Sequence, residues 1–493
     1  MESGSNGAGM GWRVRRWSSD QWWLVSVTLL AAVVRLMNLG TRSLWFDEAF
    51  TVLVTRLPLR ESLAALLTLG AYSPFYYLLL RPVVAVLGQS EFAYRFSSAV
   101  FGILTVPLLH RVGRCWLGPR AGLLAALALS VCPFHLLYSQ DSRMYAMMGF
   151  FSLAAMDRFV GVLRGRKWLP FILCSALAYL SHYAAIFLIY VQLVCLLPLL
   201  RRHRLFRRWF AVQTLALLPL APWFVLYIRA TWQTRALGIG WIPRPDGLAL
   251  LRTLWNFSSG DADAWPAWVV VLAVLHGLIL VRGGLSAGRV RHILAWWLSL
   301  PLLVNFAVSL RQPLYVDRYF MGSLPAYILL LAAGVVGWRS RWSRIVAALT
   351  VVGAMGWGTV RIVGHDPYFA KEDWRGVAQA IDVQLQPGDA VVLQDYETLI
   401  GTTVYRTQEW QSVVLEPEGV SATLEEMAAR YRRVWLVWRS PRESNHRLCK
   451  SEPFDVFSEA TAPVRSWLTA HRDGIALDLR LPGISVVRID REE

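Results

Sequence analysis

Charged side chains and cysteine are both scarce in this chain of 493 residues. Asp, Glu, Lys and Arg make up 17% of the sequence, whereas a soluble domain carries roughly 25%. The cysteines are Cys115, Cys132, Cys174, Cys195 and Cys449, and no two form a CxxC pair, so neither a disulfide framework nor a thiolate zinc site is indicated. The GxxxxGK[ST] and HExxH motifs are missing, which leaves P-loop and zincin chemistry without support. We expect no metal site and no cofactor.

Apolar and aromatic residues take the place of the missing charge. Hydrophobic residues account for 55% of the chain, its mean hydropathy is +0.41, and it contains 24 Trp, a residue that favours the membrane–water interface. The formal charge of +17 comes from short basic clusters between apolar segments. Clusters of that kind orient membrane spans and contact anionic lipid, so we expect a lipid bilayer and not nucleic acid as the partner.

Eleven apolar segments are long enough to be considered as membrane crossings. They lie at about 21–39, 96–113, 120–138, 144–161, 168–181, 183–200, 209–228, 266–282, 292–310, 320–337 and 343–361. A further segment, 72–88, carries Arg81 and Pro82 in its middle. If 72–88 lies along the membrane surface, the basic clusters near residues 13, 111, 164, 201, 282 and 339 all become cytoplasmic, as the positive-inside rule requires.

The predicted architecture is therefore a polytopic α-helical membrane protein of about eleven transmembrane helices. Residues 1–20 form a cytoplasmic tail, 21–361 the membrane domain, and about 40–95 its first external loop with surface helices. Residues 365–493 change character, because strand-like runs such as Ala390–Gln394 and Val434–Trp438 alternate with polar helical segments. We interpret them as a small extracytoplasmic α/β domain in a protein of the plasma (inner) membrane.

With this topology, the unusual ionisable residues fall on the external side. Asp47 and Glu48 lie in the apolar stretch Leu44–Phe50, where a carboxylate pair is costly unless it has a function. The remaining candidates stand beside aromatic residues or just before a span: Arg95, Asp141, Arg143, Tyr145, His182 and Arg318. Each also has a structural interpretation: a helix N-cap for Asp47, an ion pair for Arg143 or Arg318, and a buried neutral side chain for His182.

Carboxylate and arginine side chains together suit glycosyl transfer from a lipid phosphate. Activated nucleotide sugars are cytoplasmic, so an enzyme acting outside needs a donor carried across the bilayer on a lipid. Arginines bind the phosphate leaving group, and Asp47 is our candidate for the base that activates the acceptor hydroxyl. Direct attack opposite the leaving group would invert the anomeric centre.

Three blocks resemble bacterial membrane glycosyltransferases of the C-type (GT-C) superfold. This group is related to the protein O-mannosyltransferases, the lipid A aminoarabinose transferases and the Rgt-type transferases. The blocks are Arg42–Ala49, Ser90–Phe96 and Tyr138–Tyr145, while His182-Tyr183 and Arg318-Tyr319 match weaker blocks. The resemblance implies that Asp47 is the catalytic acid, that Arg95 binds the donor phosphate, and that 72–88 does not cross the membrane.

Two positions depart from the pattern of the group. Tyr72-Ser73-Pro74 stands where many relatives have His-Pro-Pro, and Gln140-Asp141-Ser142-Arg143 stands where many have Gln-Glu-Ala-Arg.

The resemblance implies a polyprenyl-phosphate-linked sugar as donor and an envelope glycolipid, glycan or protein as acceptor. A lipid-carrier flippase or transporter and a non-catalytic envelope scaffold are the alternatives. Transporters place charges near the bilayer midplane, whereas the candidates here gather at one interface.

Overall fold

The computed structural model of the chain describes residues 18–68, 73–199, 201, 203–234, 242–260, 267–364, 371–416, 418–439 and 454–491. Most of the predicted cytoplasmic tail, Tyr72 and the first residues of the predicted C-terminal domain lie outside these ranges.

The described chain is helical as far as residue 363. Its α-helices are α1 (Ser19–Leu36), α2 (Phe46–Arg56), α3 (Leu59–Thr68), α4 (Phe75–Leu87), α5 (Glu91–Leu117), α6 (Pro119–Ser130), α7 (Pro133–Ser139), α8 (Tyr145–Leu163), α9 (Leu169–Ser181), α10 (Phe187–Leu196), α11 (His203–Leu217), α12 (Ala221–Thr234), α13 (Ala249–Ser259), α14 (Ala267–Ser286), α15 (Arg291–Ser309), α16 (Leu324–Val336) and α17 (Arg341–Val363). Short 3-10 segments cover Tyr183–Ile186, Leu197–Leu199, Gly288–Val290 and Asp317–Gly322.

Many of these helices are apolar enough to lie in a membrane. Among the described residues, five helices are long and apolar enough to cross one, or seven if each of two bent pairs counts as one span. Large apolar side chains remain exposed on their outer faces, for example Val271, Leu278 and Leu285 on α14. Such faces suit contact with lipid. Three predicted crossings correspond to apolar helices of 10–17 residues, so the count of eleven stays a prediction.

A break between α6 and α7 shapes the end of the helical region that carries the loop 140–144. The two helices form a bent pair with an angle of 57° between them, and Pro133 begins the second. A helix end leaves carbonyl groups without intrahelical partners. The fully buried Arg35 of α1 donates to two of them, the Leu129 and Ser130 oxygens, at 3.0 Å each. The break is thereby satisfied inside the protein, and α7 delivers the loop 140–144 to a fixed place.

Helix α4 corresponds to the predicted surface segment 72–88. Its thirteen residues span roughly 20 Å, less than the ~30 Å of a hydrocarbon core. Tyr76, Tyr77, Leu80 and Val84 are buried along one side, while Val86 is 83% exposed. This short helix packs against α2 and α5, which carry Asp47 and Arg95 respectively.

A five-stranded sheet follows residue 389. Its strands are β1 (Ala390–Leu393), β2 (Ser412–Val414), β3 (Arg433–Arg439), β4 (Ile475–Leu481) and β5 (Ile484–Asp490), in the order β2-β1-β3-β5-β4. Strand β1 pairs in parallel with β2 and β3, while β5 pairs antiparallel with β3 and β4. The strand-like runs at 390–394 and 434–438 are therefore strands, as predicted.

Helices cover both faces of this sheet. They are α18 (Trp374–Gln384), α19 (Tyr396–Tyr405), α20 (Val420–Arg430) and α21 (Phe454–Ala470). Apolar residues of α18 pack with Trp435 and Val486 in one cluster, whereas those of α20 and α21 pack with Leu436 and Val487 in another. Neighbouring residues of a strand face opposite sides of the sheet, because side chains alternate along the strand with a period of two. Helix α19 also packs against α2, the helix that carries Asp47.

Candidate active site

Asp47 stands at the start of a helix, in a nearly enclosed position. It is the second residue of α2, after Trp45 at the N-cap and Phe46. Backbone N–H groups at a helix start, together with the helix dipole, stabilise a carboxylate. The Asp47 side chain retains 11% exposure, whereas that of its neighbour Glu48 has none. Of the two adjacent carboxylates, Asp47 is the one that a substrate can reach.

Arg143 meets Asp47 from the loop between α7 and α8. Its Nε lies 3.7 Å from Asp47 Oδ2, and its Nη1 lies 3.3 Å from the Asp47 carbonyl oxygen. Nη1 is also 3.4 Å from Thr51 Oγ1 and 3.3 Å from the Tyr77 hydroxyl. These distances exceed the roughly 2.8 Å of a tight charge-assisted hydrogen bond. The positive charge is thus buried beside the carboxylate.

Arg318 brings a second cation to the same place. It lies in the 3-10 segment Asp317–Gly322, is 4% exposed, and holds its guanidinium carbon 5.9 Å from the centre of the Trp45 ring. Burial by itself would lower the pKa of Arg318, but the neighbouring Tyr145 and Asp47 raise it well above its ordinary value. The guanidinium therefore stays charged.

His182 is a neutral member of the site. It ends α9, and its ring centre lies 5.1 Å from that of Tyr319 and 5.5 Å from that of Tyr145. Burial and the positive charges of Arg143 and Arg318 lower the pKa of His182 to about 3. The Ala184 N–H donates to its Nδ1 at 3.0 Å. A neutral imidazole that accepts at Nδ1 carries its proton on Nε2, which can donate to a ligand.

Glu48 and Arg95 form a closed pair behind Asp47. Arg95 Nε donates to Glu48 Oε1 and Arg95 Nη2 to Glu48 Oε2, each at 2.7 Å. The remaining donors of Arg95 reach the carbonyl oxygens of Leu39, Arg42 and Ser43 at 2.9–3.0 Å. All five N–H donors of this guanidinium are thus occupied by protein groups. These contacts hold the loop before α2, and substrate binding by Arg95 and Glu48 stays a prediction.

Lys371 is a site residue that the sequence analysis missed. It lies beyond the last membrane helix, is 9% exposed, and donates from Nζ to Glu48 Oε2 at 3.1 Å and to Asp141 Oδ1. Burial raises the pKa of Asp141, although Lys371 opposes this effect. The only signal in the sequence is that Lys371 opens the charged run Lys371-Glu372-Asp373 immediately before Trp374.

The C-terminal segment is also bound to the loop that leads to Asp47. Glu372 Oε2 accepts the Phe46 N–H at 3.1 Å and the Trp374 indole N–H at 2.9 Å. The Tyr405 hydroxyl accepts the Leu44 N–H at 2.8 Å. The backbone on both sides of Trp45 is therefore held by residues that follow the membrane helices.

The structure gathers the predicted residues into one site. Asp47, Arg143, Tyr145, His182 and Arg318 surround a common region beside Trp45, and Glu48, Arg95 and Asp141 lie directly behind. No group of three or more His, Cys, Asp or Glu residues suited to a metal ion occurs among the described residues. A carboxylate with two buried guanidinium groups can bind an anionic group and take a proton from a hydroxyl.

Known proteins match this chain in sequence over one segment and in fold over nearly its whole length. Residues 71–226 match a family described as dolichyl-phosphate-mannose-protein mannosyltransferase. No curated protein matches the sequence. The fold is similar to ArnT from Cupriavidus metallidurans in the apo state, with a TM-score of 0.60, 15% identity, and coverage of 96% of this chain and 98% of ArnT.

Two further structures agree with this fold. ArnT bound to undecaprenyl phosphate gives a TM-score of 0.57 at 14% identity over the same shares of the two chains. The oligosaccharyltransferase of Archaeoglobus fulgidus gives 0.51 at 14% identity, covering 84% of this chain and 67% of that one. The fold predicted from the sequence is thereby confirmed: the chain has the GT-C fold of membrane glycosyltransferases, and residues 71–226 match the mannosyltransferase family.

Proposed function

We propose that this protein transfers a sugar from a polyprenyl-phosphate donor to an envelope acceptor on the outer face of the plasma membrane. The observation that carries the proposal is the partly accessible Asp47 carboxylate, with Arg143 Nε at 3.7 Å and Arg318 close by. This arrangement pairs a base with two fixed cations, the two functions that transfer from a sugar phosphate needs. The ArnT structure with undecaprenyl phosphate adds support for a lipid-phosphate ligand on this fold.

In the proposed reaction, the acceptor hydroxyl attacks the anomeric carbon of the donor sugar. The new bond joins the acceptor oxygen to that carbon, while the bond from carbon to phosphate oxygen breaks and its electron pair leaves with the polyprenyl phosphate. Asp47 receives the hydroxyl proton. Attack opposite the leaving phosphate inverts the anomeric configuration. Arg143 and Arg318 bind the phosphate as its negative charge grows.

The other predicted residues divide into two roles in this proposal. Tyr145 and the Nε2–H of His182 line the region beside the two arginines and orient the sugar phosphate. Glu48, Arg95 and Asp141 are assigned to positioning, because protein groups already occupy all donors of Arg95 and surround Glu48 completely.

The proposal retains the predicted membrane arrangement. The chain crosses the membrane eleven times with a cytoplasmic N-terminus, and helix α4 lies along the surface. The segment 365–493, which contains the sheet, then lies outside as an α/β domain. Attachment of residues 372 and 405 to the loop before Asp47 supports a common side for the sheet and the site.

The test is transfer by the purified protein in lipid nanodiscs, with a panel of polyprenyl-phosphate sugars and envelope acceptors. Asp47→Asn should lower turnover by about 10²- to 10⁴-fold, because the amide cannot take the hydroxyl proton. The matched control is Glu61→Gln, which alters an exposed carboxylate in the same external loop and should stay within about twofold. Equal turnover of wild type and Asp47→Asn would reject the proposed base. Absence of transfer from every donor, with specific carrier binding, would favour a flippase or scaffold.

A further inference from the structure

Four buried charges form a compact group behind Asp47. This charge quartet consists of Arg95 from α5, Glu48 from α2, Asp141 from the loop after α7, and Lys371 from the segment after α17. None of the four side chains is more than 6% exposed. Two positive and two negative charges balance each other, and each member comes from a different part of the chain.

Lys371 is the member of the quartet whose side-chain nitrogen contacts two carboxylates, that of Glu48 and that of Asp141. Glu48 has a second cation, since it also binds Arg95 through both of its oxygens. Asp141 Oδ1 is bound by Lys371, and no protein group hydrogen-bonds to its buried Oδ2 among the described residues. Removal of Lys371 would therefore leave Asp141, not Glu48, as a buried carboxylate without a bound cation.

The quartet continues directly into the active site. The Ser142 N–H donates to Glu48 Oε1 at 2.8 Å, so the loop that carries Asp141 and Arg143 is held on the first turn of α2. Arg143 then reaches Asp47. The Lys371 ammonium also lies 5.9 Å from the centre of the Trp45 ring, the ring over which Arg318 sits. Two contacts, Lys371 with Asp141 and Arg143 with Asp47, thus connect Lys371 to the proposed base through the loop 140–144.

We propose that Lys371 is a positioning residue through which the segment after the membrane helices completes the active site. Its ammonium balances the charge of Asp141, fixes the loop 140–144 against α2, and so sets Arg143 at its distance from Asp47. The proposal rests on the proposed function only for its effect on turnover, because the ordering of the loop can be measured without sugar transfer.

The central test compares Lys371→Met, Asp141→Asn and the double variant. Each single variant leaves the quartet with one unbalanced charge, while the double variant is balanced again. We expect Lys371→Met to lower kcat at least about tenfold near pH 8, and the double variant to recover at least half of that loss on a logarithmic scale. The matched control is Lys167→Met, which replaces an exposed lysine between α8 and α9. Its kcat should stay within twofold of the wild-type value.

The pH dependence separates charge balance from a merely structural contact. The charged or titratable groups that act on Asp141 are Lys371, Glu48 and Arg95, with Arg42 and Tyr138 nearby. Burial already raises the pKa of Asp141, and loss of Lys371 raises it further. Protonation of Asp141 restores neutrality, so the activity of Lys371→Met relative to wild type should rise as the pH is lowered from about 8 to about 6.

Hydrogen–deuterium exchange provides a readout that needs no turnover. The amides of Glu48 and Ser142 should exchange at least tenfold faster in Lys371→Met than in wild type, and should be protected again in the double variant. Lys371→Arg, which keeps the charge, guards against a variant that fails to fold and should retain more protection than Lys371→Met. Strictly additive effects of the two substitutions, or unchanged exchange at both amides in a folded Lys371→Met protein, would overturn the proposal. An inactive wild type with the predicted exchange pattern would reject only the proposed reaction.

Discussion

Two neighbouring carboxylates in this protein each face a buried arginine, and the two pairs differ in the distance between the charges and in the exposure of the carboxylate. Glu48 and Arg95 are joined by two hydrogen bonds of 2.7 Å, with exposures of 0% and 2%. Asp47 and Arg143 approach no closer than 3.7 Å between charged side-chain atoms, and the Asp47 side chain keeps 11% exposure. The sequence sets these carboxylates side by side at the start of α2, and the helical turn points them to different surroundings.

The difference separates a pair saturated by protein contacts from the pair to which we assign the chemistry. Arg95 donates to three backbone carbonyls in addition to Glu48, so it fixes the chain from Leu39 to Ser43. A saturated guanidinium could bind phosphate only by breaking these bonds. Arg143 makes longer contacts beside an accessible carboxylate, an arrangement that a substrate phosphate can tighten when it binds.

The largest expected effect that tests this comparison is a loss of protein stability when the charge of Glu48 is removed. Arg95 and Lys371 outweigh burial and lower the pKa of Glu48 to about 2, from an ordinary value of 4.5. A lowered carboxyl pKa contributes stability that is present above pH ~4.5 and is lost as the pH falls towards ~2.

Glu48→Gln should therefore lower the free energy of unfolding by roughly 3 kcal/mol, because it leaves Arg95 and Lys371 buried without this charge. Asp47→Asn should change it by less than about 0.5 kcal/mol. Thermal unfolding of both variants in lipid nanodiscs measures the contrast. Equal unfolding midpoints for the two variants would show that the pairs do not differ in the way described.

Exchange of each arginine for lysine should give the next largest effect, with opposite signatures. Arg143→Lys removes bidentate phosphate binding, so kcat/KM should fall about 10- to 100-fold while the unfolding midpoint stays near that of wild type. Arg95→Lys cannot reach five acceptors and should instead lower stability by about 2 kcal/mol. Steady-state kinetics and thermal unfolding on the same preparations distinguish the two. A large kinetic defect in a fully stable Arg95→Lys protein would place Arg95 among the phosphate ligands after all.

The sequence indicated which residues gather at this site but not which carboxylate pairs with which cation. Aromatic and apolar neighbours identified Asp47, Arg143 and Arg318 as unusual, and the structure brings them together around Trp45. Hydrophobic periodicity likewise located strands such as β1 and β3. Periodicity carries no information about which carboxylate pairs with which cation, because that depends on contacts across more than 40 residues, as between Glu48 and Arg95.

Lys371 illustrates the same limit at greater distance. Its partner Asp141 is 230 positions away along the chain, and a lysine at the start of a polar segment is ordinarily solvated. The bend at Pro133 was also unpredicted, since the apolar run 120–138 continues through it and its acceptors are satisfied by Arg35 from another helix. The charged run that Lys371 opens and the proline at position 133 are local signals, but neither indicates the distant partner, which is a tertiary feature. The number of membrane crossings and the domain boundary near 365 stay predictions.

The smallest expected effect concerns His182, which belongs to the open side of the comparison. Its Nε2–H can donate one hydrogen bond, so His182→Gln, whose amide can also donate, should lower turnover only about three- to tenfold. Because the pKa of His182 is lowered to about 3, the imidazole is neutral throughout the range from pH 5 to 8, and its protonation begins only as the pH approaches that value. The variant should therefore keep the pH profile of wild type. An acid limb near pH 6.5 that disappears in His182→Gln would contradict this: the ring would then be charged during turnover and bind the phosphate together with Arg143 and Arg318.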